Sequence, residues 1–280
     1  MDEMPDELVA RLRSAGCVFA EEEAAELRAA AASAGELEAM ALRRVAGEPL
    51  EQVVGAAWFD GLRIRLLPGV FVPRLRTTAM VRLAADRLTG RGSLAELGLS
   101  QGPTTGAVML DIGCGSGAIG AAVAARVPGV EVWAVDVDPV AVDCARLNLP
   151  PERVLLGDLF TPLPADLRAS VVCANAPYVP TAAIGSMPPE ARDHEHRVAL
   201  DGGTDGLDVQ RRLIAQAPRW LVEGGSLLVE ASSAQAPATA ALMRQVGLST
   251  RIHRDDDVEG TVVEGRKAVH PPPVDDLSHR

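Results

Sequence analysis

From residue 108 onward, short apolar runs alternate with longer helix-forming ones, and this alternation restricts the fold more than any other feature of the chain. The apolar runs cover residues 108–112, 130–135, 153–156, 170–174 and 226–230. Helix-forming stretches at 117–127, 139–147, 207–222 and 235–246 lie between or after them. Continuous apolar strands separated by helices predict a mostly parallel sheet covered on both faces. Further on, residues 250–253 and 261–264 flank Asp255-Asp256-Asp257 and predict an antiparallel pair.

The N-terminal part reads differently. Residues 5–46 are rich in Ala, Leu, Glu and Arg, and Leu8, Val9, Leu12, Leu37, Met40, Ala41 and Val45 recur at three- and four-residue steps. That spacing predicts a small helical unit, with the alanine-rich run 29–34 as a tight helix–helix contact and Gly47-Glu48-Pro49 as the stop. From Trp58 to Val72 the pattern turns β-like, Leu62, Ile64 and Leu66 alternating with Arg63 and Arg65. Arg63, Arg65, Arg74, Arg76 and Arg82 occur between Gly61 and Ala85 without an acid, which fits either a docking surface or a solvated strand face. Glycine, serine and threonine mark residues 89–107 as a linker. The expected organisation is therefore a helical domain over 1–50, a β-hairpin connector over 51–88, a linker over 89–107, an α/β domain over 108–267 and a disordered tail over 268–280.

Composition excludes several classes. The 280 residues are 48% hydrophobic, enough for a sizeable core, and 38 carboxylates against 27 Lys and Arg leave a net charge of −11. A dedicated nucleic-acid binder carries a basic footprint and aromatic stacking platforms, whereas this chain has three Trp, one Tyr and four Phe. Cys17, Cys114, Cys144 and Cys173 show no Cys-x-x-Cys spacing and read as reduced, mostly buried thiols. An acidic N-terminus without a signal-peptide pattern, and no apolar stretch of membrane-spanning length, make the cytoplasm the expected location.

Two runs carry chemistry. Leu110-Asp111-Ile112-Gly113-Cys114-Gly115-Ser116-Gly117 falls between a strand and a helix. Glycine there admits a ligand to bare backbone, and the helix N-terminus offers free N–H groups to a carboxylate. Asp136, nineteen residues beyond Gly117, ends the next strand and suits two ribose hydroxyls; Asp158 suits an adenine amine, with Leu159 or Phe160 packed on the ring. Each carboxylate could instead be a helix cap or turn residue. Gly113-x-Gly115-x-x-Ala118 also satisfies a dinucleotide fingerprint, so a nicotinamide enzyme is one rival. The second run, Asn175-Ala176-Pro177-Tyr178, follows the fourth strand and holds the chain's one tyrosine. The Asn175 side-chain oxygen and the Ala176 main-chain oxygen can grip the hydrogens of an amide nitrogen, while the Tyr178 ring flanks the planar group. Together the runs point to methyl transfer from S-adenosylmethionine to an amide or amine nitrogen. A plain strand-end turn is the alternative for the second run.

These residues resemble the protein-(glutamine-N5) methyltransferases, which act on the Gly-Gly-Gln glutamine of peptide-chain release factors. The likeness extends over roughly residues 40–267 and includes Gly47-Glu48-Pro49-Leu50, Phe71-Val72-Pro73-Arg74 and Leu200-Asp201-Gly202-Gly203-Thr204-Asp205-Gly206-Leu207. It implies a class I S-adenosylmethionine-dependent methyltransferase fold, Rossmann-like with a mostly parallel seven-stranded sheet, and a small helical N-terminal domain. S-adenosyl-L-methionine would be the cofactor, S-adenosyl-L-homocysteine the product and a protein such as a release factor the partner. The implied catalytic residues are Asn175, Ala176, Pro177 and Tyr178. The implied cofactor contacts are Asp111, Gly113, Cys114, Gly115, Gly117, Asp136, Asp158, Leu159 and Asn175, with no metal. Two departures mark a divergent member: Leu75-Arg76-Thr77-Thr78 stands where the family has Pro-Glu-Thr-Glu, and Ala176 stands where it has the first proline of Asn-Pro-Pro-Tyr. His194-Glu195-His196 offers only a weak metal pattern. A nucleobase or small-molecule amine as acceptor, or a non-catalytic cofactor-binding protein, are the rival functions.

Overall fold

The computed structural model describes residues 6–90 and 106–269. Helices α1 (Glu7–Ser14), α2 (Ala20–Ala30) and α3 (Ala34–Val45) bury Leu8, Leu12, Leu27 and Met40 against one another. The break between α2 and α3 falls inside the run expected as a helix–helix contact. Ser33 Oγ accepts from the Glu36 amide at 3.2 Å, and Glu36 Oε2 accepts from the Ala32 amide at 2.7 Å. Reciprocal capping of this kind outweighs the helix propensity of four successive alanines. A short helix α4 (Leu50–Val54) follows Pro49, and β1 (Ala56–Phe59) pairs antiparallel with β2 (Leu62–Arg65).

The connector expected over 51–88 is narrower than the sequence indicated. Its last part is helix α5 (Thr78–Thr89), whose Met80, Val81, Ala84 and Leu88 belong to the core on one face of the large sheet. The strand pattern of the hairpin is plain in sequence, but nothing there separates a connector helix from a sheet-covering one. The linker expected over 89–107 and the tail over 268–280 fall almost wholly outside the described residues.

The remaining elements are β3 (Val108–Ile112), α6 (Ala118–Arg126), β4 (Glu131–Asp136), α7 (Pro139–Ala145), β5 (Val154–Leu156), β6 (Ala169–Ala174), α8 (Pro189–His194), α9 (Asp208–Trp220), β7 (Leu221–Glu230), α10 (Ala236–Gln245), β8 (Ser249–Asp255) and β9 (Gly260–Arg266). They build a seven-stranded sheet in the order β5-β4-β3-β6-β7-β9-β8, with β9 antiparallel to both of its neighbours. Leu213, Ile214, Ala217, Ala240 and Met243 from α9 and α10 cover the second face. Lys267 closes α9, its Nζ donating at 2.8 Å to the Pro218 and Leu221 carbonyls.

Strand order reverses between β3 and β6, where Leu110 lies beside Val172 and Asp111 beside Cys173. That register brings the glycine loop and Asn175 out at the same level of the sheet. A crevice at the carboxyl ends of reversing strands is where such sheets take ligands. Among the described residues no helix is long and apolar enough to cross a membrane.

Candidate active site

A cavity of about 370 Å³ opens at this reversal and is lined by Gly113, Cys114, Gly115, Asp136, Asp158, Leu159 and the run 175–178. Gly113 and Gly115 have φ of 73° and 55°, and a Cβ built on either would meet no atom within 4 Å. These two glycines keep the floor of the cavity open. Gly117 has a different reason to be glycine: a Cβ there would come within 2.9 Å of Leu149. Its place is in helix packing, and it does not line the cavity.

Asp136 is locked by backbone. Its Oδ2 accepts from the Gly115 amide at 2.8 Å and its Oδ1 from the Asp138 amide at 3.0 Å. Burial pushes its carboxyl up, and those two amides oppose the shift. Each oxygen keeps a second lone pair for a hydroxyl donor. Asp158 is half-exposed at the rim and pairs with Arg212 of α9, a partner that the sequence pattern gave no means of finding.

Like Gly117, two further candidates for the cofactor site lie elsewhere. Asp111 is fully buried beneath the loop, where its Oδ2 accepts from the Gly120 amide at 3.0 Å and Oδ1 has no partner among the described residues. Burial pushes its carboxyl up to about 7, opposed by the Gly120 amide and reinforced by Asp136. It braces the loop against α6 instead of facing the cavity. Phe160, offered as an alternative to Leu159 against the ring, is stacked on Trp220 with ring centroids 5.4 Å apart and is spent on the core. Leu159, at φ 51°, is the one of the two that lines the cavity.

At the other end of the cavity, Asn175 Nδ2 donates to Thr77 Oγ1 at 3.4 Å, leaving Oδ1 as the free acceptor of the amide. Ala176 is buried, and the Tyr178 carbonyl accepts from Gln235 Nε2 at 2.9 Å, which fixes the backbone after Pro177. The Tyr178 hydroxyl accepts from Arg76 Nη2 at 2.8 Å and lies 3.4 Å from Glu230 Oε1.

The five arginines between Gly61 and Ala85 do not form one basic surface. Arg74 pairs with Glu195 at 2.6 Å, Arg76 with Glu230 at 3.2 Å and Arg82 with Asp255, so only Arg63 and Arg65 present charge from the hairpin face beside exposed Trp58. Glu195 is the residue that the metal-like triplet concealed. Its Oε1 accepts from the Val72 amide at 3.1 Å and from Arg74, tying the loop after α8 to the segment over the cavity. His196 Nδ1 bonds Asp138, while the His194 carbonyl accepts from Gln52 at 3.3 Å, so the two histidines face different partners.

Sequence comparisons identify relatives of this chain. A family model described as methyltransferase small domain matches residues 95–184. The release factor glutamine methyltransferase of Gloeobacter violaceus is 38% identical over 203 residues, which make up 70% of this chain and 65% of that relative. The release factor glutamine methyltransferase of Geobacter sulfurreducens is 38% identical over 209 residues, 73% of this chain and 68% of the relative. The chain belongs to the release factor glutamine methyltransferase family. Its cofactor is accordingly S-adenosylmethionine, and its sheet is that of a class I methyltransferase. A solved 16S rRNA N2 methyltransferase from T. thermophilus, in complex with AdoMet and guanosine, has the same fold at a TM-score of 0.52 and 19% identity, covering 76% of this chain and 49% of that one. The match to the Gloeobacter violaceus relative thus spans just under two thirds of its length.

Proposed function

We propose that this protein methylates the side-chain amide nitrogen of a glutamine in a protein acceptor, a peptide-chain release factor, in the cytoplasm. One observation carries the reading: the glycine loop after β3 and the free acceptor of Asn175 after β6 open into a single cavity. The residues present fit the cofactor. Open space above Gly113 and Gly115 admits it to main chain, and Asp136 and Asp158 offer acceptors for its hydroxyl and amino groups. When bound there, S-adenosylmethionine supplies an electrophilic methyl group.

The chain's own residues then have to solve a nucleophile problem. An amide lone pair is delocalised into its carbonyl and must be aimed. Asn175 Oδ1 and the Ala176 carbonyl accept the two N–H hydrogens, and the Tyr178 ring confines the amide plane. Orientation of this kind contributes several kcal/mol, up to about 7–11 in favourable cases. Alanine in place of the family's proline keeps the carbonyl, and Pro177 still biases residue 176 toward extended backbone. The four cysteines are free and buried, which supports a reducing compartment.

The deciding experiment is transfer of a labelled methyl group to release factors and to a cell lysate, followed by mass spectrometry of the product. Methyl-glutamine in a Gly-Gly-Gln segment supports the reading. Label appearing only in nucleic acid or in a small amine would replace it.

A further inference from the structure

Arg76 lies in the segment that departs from the family pattern, and the reaction as described leaves it without a part. Its guanidinium is turned inward. Nη2 donates to the Tyr178 hydroxyl at 2.8 Å and Nε to Glu230 Oε1 at 3.2 Å, while the Tyr178 hydroxyl lies 3.4 Å from the same carboxylate oxygen. Three distant points of the chain meet here: the turn ahead of α5, the loop after β6 and the last residue of β7. Glu230 is 2% exposed, so it anchors the triangle out of reach of water. The Arg76 side chain, 43% exposed, reaches it from the cavity mouth. Hydrogen bonds to ionised groups are the stronger kind, and a phenol held by the Arg76 guanidinium, with the Glu230 carboxyl behind it at 3.4 Å, loses its freedom to swing.

We propose that Arg76 is a positioning residue of the acceptor mouth, pinning the Tyr178 hydroxyl against Glu230 and so fixing the ring that flanks the accepting amide. This rests on the reading of residues 175–178 as the acceptor grip. The family's glutamate at this position could not donate to Tyr178 and would set a second carboxylate beside Glu230. The charged groups that bear on the phenol are these two. Burial and Glu230 push Tyr178 up, and Arg76 draws it down.

Tyr178 is the chain's one tyrosine, so the ring signal of labelled tyrosine, followed through a pH titration, reports it alone. Arg76→Met is expected to raise the ionisation midpoint of Tyr178 and loosen the ring. Glu230→Gln should lower the midpoint, and Arg76→Lys should fall between Arg76→Met and the wild type. In transfer assays with the acceptor that the wild-type protein modifies, Arg76→Met should lower kcat about tenfold. Affinity for S-adenosylhomocysteine should stay unchanged, and Arg76→Lys should recover part of the rate. Arg76→Glu, although it restores the family residue, should be slower still. An unmoved Tyr178 midpoint in Arg76→Met overturns the proposal, as does an unchanged kcat or a faster Arg76→Glu enzyme. If the wild-type protein methylates no glutamine, the functional reading falls by itself, and the titration still decides whether Arg76 holds Tyr178.

Discussion

Single carboxylates have separate places around the cavity. Asp136 faces it with both oxygens already anchored to amides. Asp136→Ala removes a hydroxyl partner and should weaken S-adenosylmethionine binding by about 1.5–3 kcal/mol, measured by calorimetry. Affinity equal to wild type would take Asp136 out of the cofactor site. Asp111, on the neighbouring strand β3, sits in the core with its carboxyl pushed up to about 7. A carboxyl raised in the folded state contributes stability below its unfolded pKa and loses it as pH rises through the folded one. Asp111→Asn removes that dependence. Its stabilising effect in thermal unfolding should be larger by about 2 kcal/mol at about pH 8 than at about pH 5.5. A gain equal at both pH values would mean that Asp111 is not protonated on folding.

The elements explain which parts of the site were legible. The alternation of apolar runs with helices locates β3 through β7, because strands buried on both faces must be apolar throughout. The glycine loop and the run 175–178 are legible for the same reason: each sits at a strand end, where the chain must turn and a ligand can approach. What sequence could not supply were partners joined across the fold. Thr77 meets Asn175 from 98 positions away, and Arg76 meets Glu230 from 154. Arginines that read as one basic stretch are separated because α5 carries Arg82 to β8 while Arg74 and Arg76 turn into the mouth. The loop itself yields a paired test. Asn175→Ala should lower turnover by roughly 10²–10³, as for loss of one preorganised catalytic hydrogen bond, while most of the cofactor affinity survives because the adenosine contacts lie elsewhere. Ala176→Pro keeps the carbonyl and stiffens the turn, so steady-state rates should hold or rise modestly. Full activity in Asn175→Ala would remove the amide grip; loss of activity in Ala176→Pro would mean that this loop is shaped for a different acceptor.

Across the whole molecule, the N-terminal helices meet the segments beside the cavity through polar side chains. Arg44 of α3 bonds Glu23 at 2.6 Å and reaches Glu190 of α8 at 2.8 Å, and Gln52 of α4 donates to the Val70 carbonyl at 3.0 Å. Arg44→Met leaves Glu23 without its cation in a largely enclosed position and should cost about 3 kcal/mol, read from denaturant unfolding. An unchanged midpoint would show that the helices do not depend on this ion pair. The cap on α9 has a separate consequence. Lys267 is the only lysine in the sequence, and its ammonium is already committed to two carbonyls at a helix end. Amine-directed labels and cross-linkers therefore have one side-chain address on this protein. Acylating it strips the positive charge from the negative end of a helix dipole, so tagging Lys267 amounts to a mild denaturing event, and maps of docked complexes need carboxylate- or arginine-directed reagents instead.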